Sequence, residues 1–252
     1  MFSGGVGSWG AARRVADEHG SDGLVLLFTD TKIEDPDLYR FLYEAAADVG
    51  GSLEILADGR SPWEVFRDVR FIGNTRIDPC SRILKRDLAR AWVNSNCEPE
   101  TTTIYVGIDW TEDHRLPRMQ AAWEPFTVEA PLCNPPLIAK ADLLAELEAR
   151  GIERPALYRE GFPHNNCGGF CIKAGHAQFA LLLEQRPCTF AEHERREAEL
   201  REYLDKDVAI LRDRRNGTTK PMTLREFRRR IEEGRTDQLD MLEWGGCGCF
   251  VD

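Results

Sequence analysis

Helical and extended apolar patterns alternate from the start of this 252-residue chain, and that alternation constrains the fold more than any other feature. Gly23–Asp30 reads as a buried strand, a short apolar run closed by a polar turn. Asp35–Val49 reads as a helix, with Leu38, Phe41, Leu42 and Ala45 on one stripe. Ser52–Leu56 is a second strand, Ser61–Ile72 and Ser81–Val93 are helices, and Thr101–Ile108 is a β-branched strand. Pro125–Leu132 reads as extended, and Lys140–Ala149 as an amphipathic helix ended by Gly151. Strands separated by helices build a parallel α/β sheet. After Gly151 the pattern changes to a Gly-, Asn- and Cys-rich loop at Glu160–Cys171. Helices follow over Gly175–Glu184 and Ala191–Tyr203, then a short strand at Val208–Arg212 and a Thr223-capped helix at Leu224–Glu233. Trp244–Asp252 reads as an irregular tail. The expected division is an α/β nucleotide-binding core over 1–150 and a cysteine-bearing helical part over 151–252.

Composition narrows the class. With 42% hydrophobic and 30% charged residues the chain has a globular mix. No apolar run reaches the roughly 20 residues that span a bilayer, and no charged n-region precedes an apolar stretch. No membrane association and a cytoplasmic location are therefore expected. A net charge of −10 disfavours non-specific coating of nucleic acid. Residues 212–230 nevertheless hold Arg212, Arg214, Arg215, Lys220, Arg225, Arg228, Arg229 and Arg230. They read either as a solvated face or as a docking patch for a polyanion such as a nucleic acid.

Chemistry concentrates in two places. Ser3-Gly4-Gly5-Val6-Gly7-Ser8 precedes a helix pattern through Ala11, Ala12 and Val15. Glycines let the backbone approach an anion, the helix adds its positive end, and Ser3 and Ser8 add hydroxyls. Such a loop is normally launched from a strand, yet only Met1 and Phe2 precede it. The first strand is therefore truncated, or the start lies upstream. The second place is cysteine: Cys167 and Cys171 form C-x-x-x-C, Cys247 and Cys249 form C-x-C, and Cys80 follows Asp78-Pro79. In a chain without secretory signals such pairs point to metal or redox chemistry. The spacing itself leaves an iron–sulfur cluster, redox thiols without metal and zinc open. Cys97, Cys133 and Cys188 read as buried inert thiols.

The first loop resembles the S-G-G-x-x-S pyrophosphate loop of the PP-loop ATP pyrophosphatase superfamily. Phe28-Thr-Asp-Thr-Lys-Ile-Glu-Asp-Pro-Asp37 resembles the F-x-D-T-G-x-E-x-P-E segment of its phosphoadenosine phosphosulfate reductase-like branch, with Lys32 in place of Gly. Gly107-Ile-Asp-Trp-Thr-Glu-Asp-His-Arg115 resembles G-x-R-x-x-E-S-x-x-R, with Asp109 in place of Arg. Leu157-Tyr158, Gly161 and Cys167/Cys171 resemble the L-Y-x-x-G…C-x-x-C stretch with one extra residue in the pair. Gly7 stands where ATP-using members usually carry Asp.

The resemblance implies a Rossmann-like α/β/α sandwich holding ATP or a related adenylyl nucleotide such as adenylyl sulfate, with Mg²⁺ screening the phosphates. Ser3, Gly4, Gly5, Gly7 and Ser8 would hold the β- and γ-phosphates, Asp30 would sit near the adenosine, and Arg118 or Arg115 would stabilise charge at the α-phosphate. A surface-helix arginine is the competing reading of Arg118. Cys80, Cys167 and Cys171 would ligate a 4Fe-4S cluster, with the fourth ligand from Cys247 or Cys249 and the remaining tail thiol acting in catalysis. His164 would be a cluster neighbour, a general base or a loop hydrogen-bonder. The expected activity is adenylation of an acceptor with pyrophosphate release, serving sulfur transfer to a nucleic-acid or nucleotide substrate. The rival activity is reduction of an adenylyl sulfate to sulfite by a tail thiol. A non-enzymatic rival is a nucleotide- or cluster-binding subunit of a larger complex. A homodimer is one expected assembly.

Overall fold

The computed structural model describes residues 1–74 and 77–246, with the side chain of residue 216 set aside. It is mixed α/β, helix-rich, with small sheets and no barrel among the described residues. Helix α1 (Val6–His19) leads to strand β1 (Val25–Asp30), α2 (Pro36–Val49) and β2 (Ser52–Ala57). β1 and β2 pair in parallel, from Val25 opposite Ser52 to Asp30 opposite Ala57. Asp35 caps α2 by accepting from the Asp37 N–H at 2.9 Å, and Pro36 takes the first helical position, where its missing N–H costs nothing.

α3 (Pro62–Asp68) starts on a capping box between Ser61 and Glu64. It is shorter than the Ser61–Ile72 helix expected from the pattern, because Arg70 takes a left-handed φ of 51° and turns the chain away. α4 (Pro79–Ser81), a π-helical stretch (Arg82–Asp87) and α5 (Leu88–Asn96) run on from one another. β3 (Thr103–Tyr105) and β4 (Thr127–Glu129) form a second parallel pair, with α6 (Leu116–Trp123) between them. β3 is shorter than expected, since Gly107 packs directly onto the backbone of Gly7 and Ser8.

α7 (Lys140–Ala149) matches its expected bounds, and the short α8 (Ala156–Arg159) follows. The Gly- and Cys-rich loop then leads to α9 (His176–Gln185) and α10 (Pro187–Leu204). β5 (Leu211–Asp213) pairs antiparallel with β6 (Lys220–Met222), a strand the sequence pattern does not reveal, and α11 (Leu224–Glu232) closes the described fold. The tail reaches residue 246, and Cys247 and Cys249 lie outside the described residues.

Three apolar cores hold these elements together. One joins α1, β1, α2 and α7 through Trp9, Phe28, Phe41 and Leu147. A second joins α5, α6, β3 and β4 through Val93, Ile104, Trp123 and Val128. The third unites Trp63 and Phe66 of α3 with Phe170, Phe179, Phe190 and Phe227 from the C-terminal part. Of the thiols expected to be buried and inert, Cys188 is instead exposed in the first turn of α10, and Cys97 and Cys133 are only half-buried. No helix among the described residues is long and apolar enough to cross a membrane.

The third core contains a titratable weak point. His193 is buried, stacks on Phe170 at 3.7 Å between centroids, and accepts the Trp63 indole N–H on Nδ1 at 3.0 Å. Burial lowers its pKa to about 3; burial likewise lowers that of His176. The unfolded chain therefore takes up protons first. The stabilisation is complete above the ordinary histidine pKa and is lost as pH falls below about 6.5. His193 alone should cost on the order of 3 kcal/mol by pH 4. Urea denaturation at pH 7, 5.5 and 4 should show that loss, and His193→Phe should flatten the pH dependence.

Candidate functional site

The N-terminal loop wraps the start of α1. The Ser8 hydroxyl donates to the Gly5 carbonyl at 2.8 Å and accepts from the Ser3 N–H at 3.2 Å, so the two serines are tied face to face. No side chain caps α1 by accepting at its N-cap Gly5, and no acidic residue sits in its first turn. The Val6 N–H instead donates to the Tyr158 hydroxyl at 3.3 Å, and Asn165 Nδ2 donates to the Gly4 carbonyl at 2.7 Å. Gly4 has a φ of +75°, which glycine adopts without strain. A Cβ on Gly7 would stand 2.7 Å from the Gly107 carbonyl oxygen. Gly7, the departure from the ATP-using pattern, therefore has a local cause: the loop and the end of β3 meet backbone to backbone.

These elements enclose a cavity of about 120 Å³ bounded by Ser3, Ser8, Gly107, Arg115, His164 and Asn166. That volume suits one or two phosphoryl groups rather than a whole nucleotide. Arg115 reaches the cavity while ion-paired with Glu112. Two hydroxyls and the Arg115 guanidinium border the cavity and suit an anion, and the Glu112 carboxylate that pairs with Arg115 borders it too. Arg118, the alternative at the α-phosphate, is exposed on α6 and does not border this cavity.

Asp30 ends β1 as expected, but its carboxylate is engaged. It accepts from the Lys32 N–H at 2.8 Å and the Tyr39 hydroxyl at 2.9 Å, and pairs with Lys32 Nζ at 2.8 Å. Burial opposes its charge, yet these hydrogen bonds and the lysine charge hold its pKa below the ordinary carboxylate value. Asp30 does not border the cavity.

His164 gains weight from the structure. It borders the cavity, and burial first, then the charges of Lys140 and Arg115, lower its pKa to about 4. Lys140 sits over the Tyr158 ring at 4.6 Å and donates to the Pro163 carbonyl. An anion in the cavity would raise the His164 pKa, so binding would take up a proton and tighten as pH falls. Sulfate keeps its charge over this range; its affinity should rise roughly tenfold between pH 7 and 5 in calorimetry. His164→Gln should remove that dependence.

Beside the cavity lies a small pocket bordered by Cys80, Cys167, Cys171, Lys85 and Lys173. The three thiols grouped by the sequence expectation all border this pocket, Cys80 from one segment and Cys167 and Cys171 from a single loop. Cys80 comes from α4, Cys167 from the 3-10 turn Cys167–Gly169, and Cys171 from just beyond it. Glu34 ties this region to β1. It accepts from the Thr31 hydroxyl at 2.8 Å and from the Cys167 N–H, and pairs with Lys85 Nζ at 3.6 Å, both side chains being buried. Lys85 is carried inward by the π-helical stretch, a distortion often found at functional sites. Cys167 holds a left-handed φ of 54°, a strained state for a non-glycine residue that surrounding bonds must maintain.

Among the described residues no three His, Cys, Asp or Glu side chains converge as a single metal ion would require. A cluster spreads its thiolates over several irons, and the expected fourth ligand lies outside the described residues. The described tail ends beside this pocket: the Gly246 N–H bonds the Lys173 carbonyl at 3.4 Å, and the Gly175 N–H bonds the Trp244 carbonyl at 3.0 Å.

The basic stretch 212–230 is largely answered within the chain. Arg214 pairs with Glu243, Arg215 and Arg230 with Asp213, Arg225 and Arg228 with Glu194, and Arg229 with Glu226. Sequence reasoning gave too little weight to Lys140 and Glu34. Lys140 lies in an ordinary amphipathic pattern, and Glu34 is one acidic residue in an acidic loop. No protein-family model matches the chain, and no curated protein matches it significantly.

Proposed function

We propose that the chain is a PP-loop-type enzyme of Rossmann-like α/β/α architecture. In this reading it binds ATP, adenylates an acceptor and supports sulfur transfer beside a cysteine-held 4Fe-4S cluster. One observation carries the reading. A single loop borders both places: His164 and Asn166 face the Ser3–Ser8 cavity, while Cys167 and Cys171 join Cys80 in the thiol pocket. An activated phosphate ester and a sulfur centre would thus stand side by side.

The chemistry follows from the groups present. An acceptor oxygen attacks the α-phosphorus, the bond to the bridging oxygen breaks, and pyrophosphate leaves into the glycine loop. Charge growing on the leaving group meets the α1 N-terminus, the Ser3 and Ser8 hydroxyls and Arg115. Mg²⁺, when bound, screens the phosphates. A sulfur nucleophile then displaces AMP from the acceptor carbon. His164, neutral near pH 7, is suited to take the proton of the attacking hydroxyl. A nucleotide or nucleic-acid acceptor fits the adenylation chemistry.

The cluster, when bound, supplies a site for holding or delivering sulfur. Cys80, Cys167 and Cys171 would hold it with Cys247 or Cys249. Iron and sulfide counts on anaerobically purified protein test this. We expect about four irons per chain for a cubane, with iron lost in Cys80→Ser, Cys167→Ser and Cys171→Ser and in one of the two tail variants. Full iron in Cys80→Ser, or zinc in place of iron, contradicts the assignment.

A further inference from the structure

The arginines of α11 spend their charge on carboxylates, but two arginines elsewhere do not. Arg67, in the last turn of α3, and Arg70, just beyond it, are exposed. Both guanidiniums lie over the ring of Tyr203 on α10, at 4.6 Å and 5.0 Å from its centroid. Neither arginine forms an ion pair among the described residues. Asp68, which stands between them in sequence, is held by Arg60 at 2.7 Å.

A ring attracts a cation without neutralising it. Tyr203 therefore gathers two full positive charges at one place, and their mutual repulsion falls when an anion joins them. Arg70 reaches the ring from a left-handed φ of 51°, a strained state for a side chain that the surroundings must maintain. Val69 and Phe71 flank Arg70 and are also exposed. Arginines interleaved with exposed apolar and aromatic side chains suit a strand whose phosphates can be clamped while its bases stack.

We infer that the Arg67–Arg70–Tyr203 cluster is a docking site for an unpaired stretch of nucleic-acid strand. The two guanidiniums hold its phosphates, and a base rests against Phe71. The inference rests on the nucleic-acid acceptor proposed above and moves its contact from residues 212–230 to the end of α3. That end is tied to the thiol pocket. Pro62, the first residue of α3, borders the pocket, as does Ile172, and a Cβ on Gly73 would stand 2.9 Å from the Ile172 side chain. The seven residues of α3 span about 10 Å, so a docked strand would pass roughly one short helix away from the thiols.

Fluorescence anisotropy of the full chain tests this with a labelled single strand of about twelve nucleotides, as DNA and as RNA, in about 50–200 mM salt. Arg67→Gln/Arg70→Gln should weaken binding roughly tenfold or more. It should also flatten the logarithmic salt dependence by about 1.4, two phosphate contacts at about 0.7 each. Arg225→Gln/Arg229→Gln removes the same charge from positions paired with Glu194 and Glu226, and should change affinity less than about twofold. Tyr203→Leu, which keeps both charges but not their alignment, should fall between the two. An unchanged Tm in each variant shows that the fold persists. Equal losses in the two double variants, a duplex bound as tightly as the single strand, or no saturable binding of either strand overturns the site. An ATP titration separates this outcome from the phosphate-site reading. A chain that shows the expected strand binding but no ATP binding loses the adenylation reading and keeps the docking site. ATP binding with strand binding indifferent to Arg67 and Arg70 keeps that reading and loses the docking site.

Discussion

Replacing Gly7 by alanine should abolish phosphate binding while leaving most of the fold in place. The new Cβ would lie 2.7 Å from the Gly107 carbonyl oxygen, a backbone atom with no rotamer to escape into. α1 must then shift relative to the Gly107 backbone, which displaces Ser8 at the edge of the cavity bounded by Ser3, Ser8 and Arg115. Overpacking of this kind costs about 1–3 kcal/mol in stability. The binding loss should be larger, at least a hundredfold for pyrophosphate by calorimetry, because several converging donors are displaced together. Gly107→Ala should behave alike, its Cβ falling 2.6 Å from the Ser8 Cα. Unchanged affinity in both variants would mean that the loop does not hold the anion.

Glu197→Ala should be the most destabilising change in the C-terminal part. Glu197 is 1% exposed on α10 and accepts the Ile210 N–H at 2.9 Å and the Leu224 N–H at 2.6 Å. One carboxylate thereby anchors the chain just before β5 and the first turn of α11. Removing it leaves two buried donors unsatisfied, and a loss of about 3–5 kcal/mol is expected in urea denaturation. Glu197→Gln keeps one acceptor oxygen and should lose clearly less. Equal losses in the two variants would assign the effect to packing instead.

What the sequence made legible was local. Leu38, Phe41, Leu42 and Ala45 share one face because helical period alone puts them there, and all four are buried. Asp35 and Ser61 act as caps because a short polar side chain before a proline has few other uses. β6 stayed hidden because Lys220-Pro221-Met222 reads as a turn. Among the described residues it pairs on one side only, where proline's missing N–H is tolerated. Side-chain partners were also hidden. The place of Asp30 at the end of β1 was legible, but not the bonds it accepts from Lys32 and Tyr39. Arg115 and Arg118 were equivalent on paper, and only the path of the chain into α6 separates the one that borders the cavity. Cys80, Cys167 and Cys171 border one pocket, and Glu34 joins the Cys167 N–H to Lys85 there, a link with no local sequence signature.

The most direct test of the phosphate site is a calorimetric titration of purified protein with ATP and Mg²⁺, repeated in the presence of pyrophosphate. Binding at Ser3–Ser8 predicts a saturable isotherm at one ATP per chain, weakened competitively by pyrophosphate and lost in Gly7→Ala. Absence of saturable binding, or ATP binding indifferent to both pyrophosphate and the Gly7 substitution, would contradict it.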